Sequence, residues 1–204
     1  MTLEGIEGSG KTTLLQALSE RLTARGVDAI VTREPGGTTA GDVLRAVLLD
    51  GTATLEPLAE LFVVCAARAQ HVAEVIRPAL TAGRTVLCDR FTDATLAYQG
   101  GGRGIEEHIV QRCCDYAAGG LVPQLTLLID VLPELSRQRI TTRTGVTGAA
   151  PDRLERENDA FHARVRARYL ELARHEPERV KVLEGRLPGE AVLEQAWSHV
   201  ARLV

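Results

Sequence analysis

The feature of this chain that points most directly to chemistry is a glycine-rich stretch near its start, Gly5-Ile6-Glu7-Gly8-Ser9-Gly10-Lys11-Thr12. It satisfies every fixed position of the phosphate-binding pattern G-x-x-x-x-G-K-[ST]. Glycines let such a loop curl so that successive backbone N–H groups point at one anion, and a helix that begins there adds partial positive charge. In this pattern the lysine ammonium reaches the outer phosphates and the Thr12 hydroxyl binds Mg²⁺. The residues that we expect to contact phosphate are Gly5, Gly8, Ser9, Gly10, Lys11, Thr12 and Thr13.

Polar residues also follow two apolar segments that are typical of strands. Asp89 and Arg90 close the run Val86-Leu87-Cys88, and Glu34-Pro35 lies in a Pro-Gly turn after residues 29–32. The carboxyl ends of parallel strands form the ligand crevice of an α/β sheet. Asp89 could therefore approach the metal and Arg90 an acceptor phosphate. A surface ion pair and an ordinary turn are the alternatives for these two segments.

Strand-like and helix-like segments alternate along the chain, which favours an α/β fold with a parallel sheet covered by helices. The first candidate strand is short, so either the strand is unusual or the natural protein begins upstream of Met1. The predicted strands span residues 2–4, 29–32, 85–89, 125–131 and 180–183. The predicted helices span residues 11–25, 41–49, 57–82, 105–118, 133–143, 158–174 and 189–203.

Bulk properties narrow the class of protein. At 204 residues one α/β domain, residues 1–204, is the simplest interpretation. The net charge of −3 indicates neither a nucleic-acid nor a membrane-surface partner. No signal peptide is evident, and the longest apolar run, residues 61–67, is too short to cross a bilayer. The four cysteines form no C-x-x-C pair, so we expect reduced thiols in a cytoplasmic protein.

The phosphate-binding loop alone does not separate kinases from GTPases or motor ATPases. A guanine-specific switch carries N-K-x-D and D-x-x-G motifs, but the only asparagine here is Asn158 and no D-x-x-G occurs. The least regular stretch, residues 144–151, joins two arginine-bearing helices. It could form the tip of a mobile lid, for which we assign about residues 143–156. A plain surface loop is the alternative.

Further short stretches match one family over nearly the whole chain. They are residues 4–13 (EGIEGSGKTT), 32–38 (TREPGGT), 66–71 (AARAQH), 89–91 (DRF), 97–104 (AYQGGGRG), 152–155 (DRLE), 161–162 (FH) and 169–172 (YLEL). On these motifs the chain resembles the bacterial thymidylate kinases, nucleoside monophosphate kinases of the P-loop class. The resemblance implies a P-loop NTPase three-layer sandwich, with a five-stranded parallel sheet flanked by helices and a helical lid. It also implies ATP-dependent phosphorylation of dTMP to dTDP with Mg²⁺, in a homodimer that packs through residues 57–82.

The resemblance also implies roles for individual residues. Glu7 lies where the family places an acidic residue near the sugar 3′-hydroxyl and the acceptor phosphate, and Arg90 where it grips that phosphate. Arg68 occupies the position that hydrogen-bonds the pyrimidine base, and Tyr98 could favour deoxyribose. The implied acceptor-binding residues are Glu34, Pro35, Val64, Arg68, Arg90, Thr95, Tyr98 and Gln99. We also expect a cis peptide bond before Pro35.

The positive charge of the lid completes the implied site. Gly8 stands where other members carry an arginine, and members without it use lid arginines in catalysis. The candidates are Arg137, Arg139, Arg143 and Arg153, of which we assign Arg143 and Arg153 to catalysis and Arg137 to phosphate binding. Lys11, Arg90 and Glu7 are the other implied catalytic residues. Thr12 and Asp89 are the implied metal ligands.

Three departures leave alternatives open. Val64 replaces a phenylalanine that stacks on thymine, and Phe62 should face elsewhere on the helix. Ala94 replaces a common serine, and the lid is longer and more neutral at residues 144–150. A kinase for a related or 5-substituted pyrimidine deoxynucleotide is therefore one alternative. A nucleotide-gated regulatory module without turnover is another, against which the intact phosphate-binding residues count.

Overall fold

The computed structural model describes residues 1–50, 54–148 and 150–204, and the core of this part of the chain is a five-stranded parallel sheet. The strand order is β2-β3-β1-β4-β5. The strands are β1 (Thr2–Glu4), β2 (Ala29–Arg33), β3 (Thr85–Asp89), β4 (Thr126–Asp130) and β5 (Val180–Glu184). All five predicted strands are present, with ends that differ by one residue at most.

The first strand has three residues and lies in the middle of the sheet. Each of its three residues is buried, and it pairs with β3 on one side and β4 on the other. The register places Leu3 beside Asp89 of β3 and Leu127 of β4. Strands buried on both faces read as continuous apolar runs, as β3 and β4 do. The chain therefore leaves β1 at the carboxyl edge of the central strands.

Helices cover both faces of the sheet. They are α1 (Lys11–Ala24), α2 (Thr39–Leu49), α3 (Pro57–His71), α4 (Arg77–Thr81), α5 (Thr92–Thr95), α6 (Glu107–Ala118), α7 (Pro133–Thr147), α8 (Asp159–His175) and α9 (Gly189–Val200). Leucines of α1 pack with Trp197 and its neighbours in α9 on one face. Phe161, Val165 and Tyr169 of α8 pack with Ala97 and Tyr98 on the other. The expected three-layer α/β architecture is therefore confirmed.

Two predicted helices differ most from the structure, and the last helix ends at Val200 rather than at residue 203. Residues 57–81 are helical, but Val72–Ile76 between α3 and α4 is a π-helix. Pro78 has no N–H to donate, so the regular hydrogen-bond ladder cannot continue through it. Helix α7 runs to Thr147 rather than to residue 143, and Gly148 ends it in the left-handed conformation at φ 69°. The first half of the stretch predicted as irregular, residues 144–147, is thus helical. Ala149 of the predicted lid lies outside the described residues.

One helical segment was not predicted. After β3 the short helix α5 leads into a π-helix, Leu96–Gly102, which contains three glycines. Glycine is unfavourable inside helices, so propensity gave no signal there. Gly102 has a packing reason, since a Cβ at this position would lie 2.6 Å from the Phe161 ring. Within the described ranges, no helix combines the length and apolar character needed to cross a membrane.

Candidate active site

The phosphate-binding loop connects β1 to α1 and is packed tightly against its neighbours. Gly5 and Gly8 have φ values of 138° and 67°, in the region that favours glycine. A Cβ on Gly5 would lie 2.6 Å from the carbonyl oxygen of Ile129, and one on Gly8 2.7 Å from that of Ser136. Both positions therefore require glycine for backbone conformation and for space.

Lys11 at the start of α1 is buried beneath this loop. Its Nζ donates to the carbonyl oxygens of Gly5 and Ile6, at 3.0 Å each, and to Ser9 Oγ at 3.4 Å. Burial lowers its pKa from 10.5 to about 8, with a further contribution from the nearby Arg90 guanidinium. An anion beside Nζ would restore the charged form.

Arg90 follows β3 and points back at the phosphate-binding loop. Its φ of 71° is unusual for a residue other than glycine, and such backbone strain clusters at functional sites. Its Nη2 donates to Glu7 Oε1 at 2.8 Å and to the Tyr98 hydroxyl at 3.0 Å, and its Nη1 donates to the Gly5 carbonyl at 3.0 Å. Arg90 therefore joins Tyr98 and the end of β3 to the phosphate-binding loop.

Glu4, for which the sequence predicted no role, stabilises the turn that follows β3. It is fully buried and accepts hydrogen bonds from the Phe91 backbone N–H and the Tyr169 hydroxyl, both at 2.7 Å. Burial raises its pKa from 4.5 to about 8, and Asp93 adds to the shift. An acidic residue at the end of a predicted sheet strand was the available signal, because a buried carboxyl group needs hydrogen-bond partners.

Glu7 is the acidic centre of the site. The Tyr98 hydroxyl lies 2.7 Å from both of its carboxylate oxygens, and His162 Nδ1 lies 3.5 Å from Oε2. Burial favours the neutral acid, but Arg90 and then Lys11 outweigh it and lower the pKa of Glu7. His162 Nδ1 is buried and has no hydrogen-bond partner among the described residues. The structure thus keeps an ionised carboxylate between two cations.

Arg68 of α3 forms the opposite wall of the same cleft. It is 1% exposed, and its Nε donates to Glu34 Oε2 at 2.7 Å. Its Nη2 donates to the Phe91 carbonyl and to Thr95 Oγ1, both at 2.9 Å. Glu34 is also 3.0 Å from His71 Nδ1, and the Glu34–Pro35 peptide bond is cis, as predicted. This network fixes the guanidinium while part of it faces the cleft.

The cleft has a volume of about 440 Å³, and it is where the predicted residues meet. The predicted residues among its lining are Glu7, Gly8, Gly10, Lys11, Thr12, Thr13, Glu34, Pro35, Val64, Arg68, Asp89, Arg90, Thr95, Tyr98, Gln99, Arg143 and Arg153. Val64 and Ala94 both face it, whereas Phe62 is absent from the lining and 55% exposed. No aromatic side chain of α3 therefore lines the cleft in the described structure.

Thr12 and Asp89 carry oxygen atoms of the kind that a magnesium site shared with a nucleotide would use. Both line the cleft, and Asp89 Oδ1 is buried without a hydrogen-bond partner among the described residues. The described residues hold no cluster of three or more His, Cys, Asp or Glu side chains suited to a metal. Mg²⁺ commonly uses one or two protein oxygens together with water and substrate phosphates. This donor set fits that pattern.

The lid arginines do not all reach the cleft. Arg139 of α7 lines it and donates to the Ser9 carbonyl at 3.2 Å and to the Gly185 carbonyl at 2.8 Å. Arg143 and Arg153 also line it. Arg137 is not among the lining residues, and its largely exposed side chain pairs with Asp159. The structure therefore brings three of the four candidates to the site.

Comparison with known proteins agrees with this geometry. The family model described as thymidylate kinase matches residues 3–196. A thymidylate kinase of Solidesulfovibrio magneticus is 48% identical over 207 residues, covering 100% of this chain and 99% of that protein. One from Deinococcus radiodurans is 47% identical, with 98% and 95% covered. One from Geobacter sp. is 52% identical over 187 residues, with 91% and 83% covered. On this evidence the chain belongs to the thymidylate kinase family.

Proposed function

We propose that this chain transfers the γ-phosphoryl group of ATP to the 5′-phosphate of dTMP, giving dTDP and ADP. The observation that carries the proposal is the convergence of Lys11, on the phosphate-binding loop, and Arg90, on the acceptor side, in one cleft with Arg68 at its far wall. Membership of the thymidylate kinase family supports the same activity.

Phosphoryl transfer asks the protein mainly for positioning and for positive charge around the equatorial oxygens. Lys11 supplies charge from below the loop, and Arg90 supplies it from the acceptor side. Arg139 and Arg143 supply it from the lid side, since the phosphate-binding loop has glycine rather than arginine at position 8. Residues 150–156 then cover the cleft and exclude water, which would otherwise compete as the acceptor.

Thr12 and Asp89 are the residues that would hold Mg²⁺. A metal bound there would supply positive charge that offsets the charge of the substrate phosphates. Glu7 stays ionised beside Arg90 and is placed to accept a hydrogen bond from the sugar 3′-hydroxyl. The neighbouring Tyr98 ring limits the space on that side of the sugar.

The pocket for the base has room for a second kind of acceptor nucleotide. Val64 is smaller than a phenylalanine and lines the cleft beside Ala94. This observation favours tolerance of pyrimidines with a larger group at C5, as a secondary activity of the same site. Arg68 would donate to the base through Nη1, which in the described structure donates to a weak acceptor, Cys114 Sγ, at 3.6 Å.

A homodimer and a cytoplasmic location complete the proposal. Leu58, Phe62, Ala66 and Ala69 of α3 are exposed and share one helix face. An apolar face of this kind suits an isologous C₂ contact. All four cysteines are free thiols, which suits a reducing compartment. Light scattering that reports a monomer at micromolar concentration would count against the dimer.

A coupled assay of ADP release tests the activity. The acceptor panel is dTMP, dUMP, dCMP, UMP and 5-substituted dUMP analogues. We expect dTMP to give the highest kcat/KM, with measurable turnover of the 5-substituted analogues. Absence of ADP release with every acceptor would contradict the proposal and would favour a regulatory module without turnover.

A further inference from the structure

Glu60 of α3 is a buried carboxylate on which several elements converge. It is 1% exposed. Its Oε1 accepts from Gln99 Nε2 at 2.8 Å and from Arg103 Nε at 3.1 Å. Its Oε2 accepts from Arg103 Nη2 at 3.0 Å and from Arg153 Nη2 at 2.6 Å. Burial opposes its ionisation, yet these hydrogen bonds, that of Arg103 first, lower its pKa.

The donors to Glu60 belong to two parts of the site that must act together. Gln99 lines the cleft in which the proposed acceptor would bind. Arg153 belongs to the lid, and it also docks on the end of α2: its Nε donates to the Leu48 carbonyl at 2.7 Å and its backbone N–H to the Leu49 carbonyl at 3.1 Å. In the described structure, one carboxylate therefore contacts both the acceptor wall and the lid.

The energetics of burial make this arrangement cooperative. A buried carboxylate is stable only when its charge is neutralised and its oxygens are hydrogen-bonded. Opening of the lid would withdraw Arg153, and it would also separate Glu157 from Arg103, whose Nη1 donates to it at 2.6 Å. The remaining donors, Gln99 and Arg103, would then have to reorganise around Glu60. A change on the lid side is thereby transmitted to the acceptor wall.

We propose that Glu60 is a positioning residue that couples closure of the lid to occupation of the acceptor pocket. The inference rests on the proposed phosphoryl transfer and deepens it. Acceptor bound against Gln99 orders Glu60, and ordered Glu60 holds Arg153 and closes the lid. The cleft then closes fully only when an acceptor is present, which protects ATP from hydrolysis.

The test is hydrogen exchange of the amides of residues 152–157 in the full chain, with and without saturating dTMP. Coupling between two sites commonly amounts to about 5–150-fold, so we expect dTMP to slow exchange about tenfold in the wild type. Glu60→Gln removes the charge while keeping the shape. This variant should still bind dTMP, but dTMP should slow the exchange of its amides less than about twofold. Its ratio of ATP hydrolysis without acceptor to ADP release with dTMP should rise about tenfold.

Two further variants keep the result decisive. Arg153→Gln removes the Glu60–Arg153 contact by a change on the lid and keeps the hydrogen bonds of Glu60 with Gln99 and Arg103. It therefore tests the same contact if Glu60→Gln does not fold. Asp130→Asn breaks another arginine pair, that with Arg166, away from the cleft lining. It should behave as the wild type.

The outcomes separate this inference from the proposed function. Full dTMP-dependent slowing in both Glu60→Gln and Arg153→Gln would overturn the inference, as would equal loss of slowing in Asp130→Asn. If the wild type releases ADP with dTMP but dTMP does not slow its amide exchange, the inference is overturned and the proposed function still stands. Wild-type protein that releases no ADP with dTMP would instead contradict the proposed function itself.

Discussion

The Tyr98 hydroxyl lies 2.7 Å from both carboxylate oxygens of Glu7. It also accepts a hydrogen bond from Arg90 Nη2 at 3.0 Å, and Arg90 in turn donates to Glu7 at 2.8 Å. The three side chains therefore fix one another at the point where the proposed acceptor phosphate and sugar would meet. None of them can move without loss of a charge-assisted hydrogen bond.

Tyr98→Phe should lower kcat/KM for dTMP about tenfold and leave the fold intact. A hydrogen bond to a charged group contributes about 1.5–3 kcal/mol, and 1.4 kcal/mol is a factor of ten. Steady-state kinetics with dTMP and UMP would measure the effect. Tyr116→Phe, at an 80% exposed site, is the matched control. Unchanged kinetics in Tyr98→Phe would mean that Glu7 and Arg90 need no help from this hydroxyl.

Glu4 should make the stability of the protein fall as pH rises from 5 to 8. The folded state holds the Glu4 proton with a pKa of about 8, against 4.5 ordinarily, so this stabilisation is complete below 4.5 and is lost as pH rises through 8. The loss is at most about 5 kcal/mol in the free energy of unfolding. Urea unfolding of wild type and Glu4→Gln at pH 5, 6.5 and 8 would measure it. Parallel pH dependences in the two proteins would contradict this role.

The arginines that line the cleft should affect kcat more than acceptor binding. Arginine donors to the transition state contribute about 10³–10⁵ in rate in related enzymes. Arg139→Ala tests the arginine that contacts the phosphate-binding loop, and Arg143→Ala and Arg153→Ala test the two ends of the lid. Arg174→Ala, on the exposed face of α8, is the control. If all three lining variants keep full kcat, the charge comes from elsewhere and the role assigned to the lid is wrong.

Val64→Phe should tighten dTMP binding a few-fold, because an aromatic ring would stack on thymine. Such pairs contribute about 0.5–1.5 kcal/mol beyond the buried area. The same substitution should exclude acceptors with large C5 groups. Calorimetric titration of dTMP and one 5-substituted analogue measures both effects, with Val122→Phe at an exposed position as the control. No change for any acceptor would show that residue 64 does not face the base.

The parts of the site that could be predicted are those that are local in sequence. The phosphate-binding loop is eight consecutive residues, and Asp89 and Arg90 directly follow an apolar strand. The cis bond before Pro35 and the outward orientation of Phe62 also agree with the predictions made from the resemblance. In each case neighbouring residues carry the signal.

What could not be predicted depends on contacts between distant residues. Glu4 accepts a hydrogen bond from Tyr169, and Glu60 accepts one from Arg153; both donors are far away in the sequence. Arg137 and Arg139 are two residues apart, so they face different sides of α7, but only packing against Gly185 decides which side meets the cleft. The sequence therefore shows how many arginines lie near the lid, but it does not show which of them point into the cleft.

The most direct test of the proposed function compares ADP release by the wild type and by Lys11→Ala, with ATP and Mg²⁺, before and after addition of dTMP. Lysine occurs only once elsewhere, and Lys181→Ala is the matched control because Lys181 lies on β5 away from the cleft lining. We predict that dTMP starts ADP release in the wild type and in Lys181→Ala, with none detectable in Lys11→Ala, while circular dichroism shows all three folded. Near wild-type turnover in Lys11→Ala would contradict the assignment of this loop to ATP, and with it the proposed reaction.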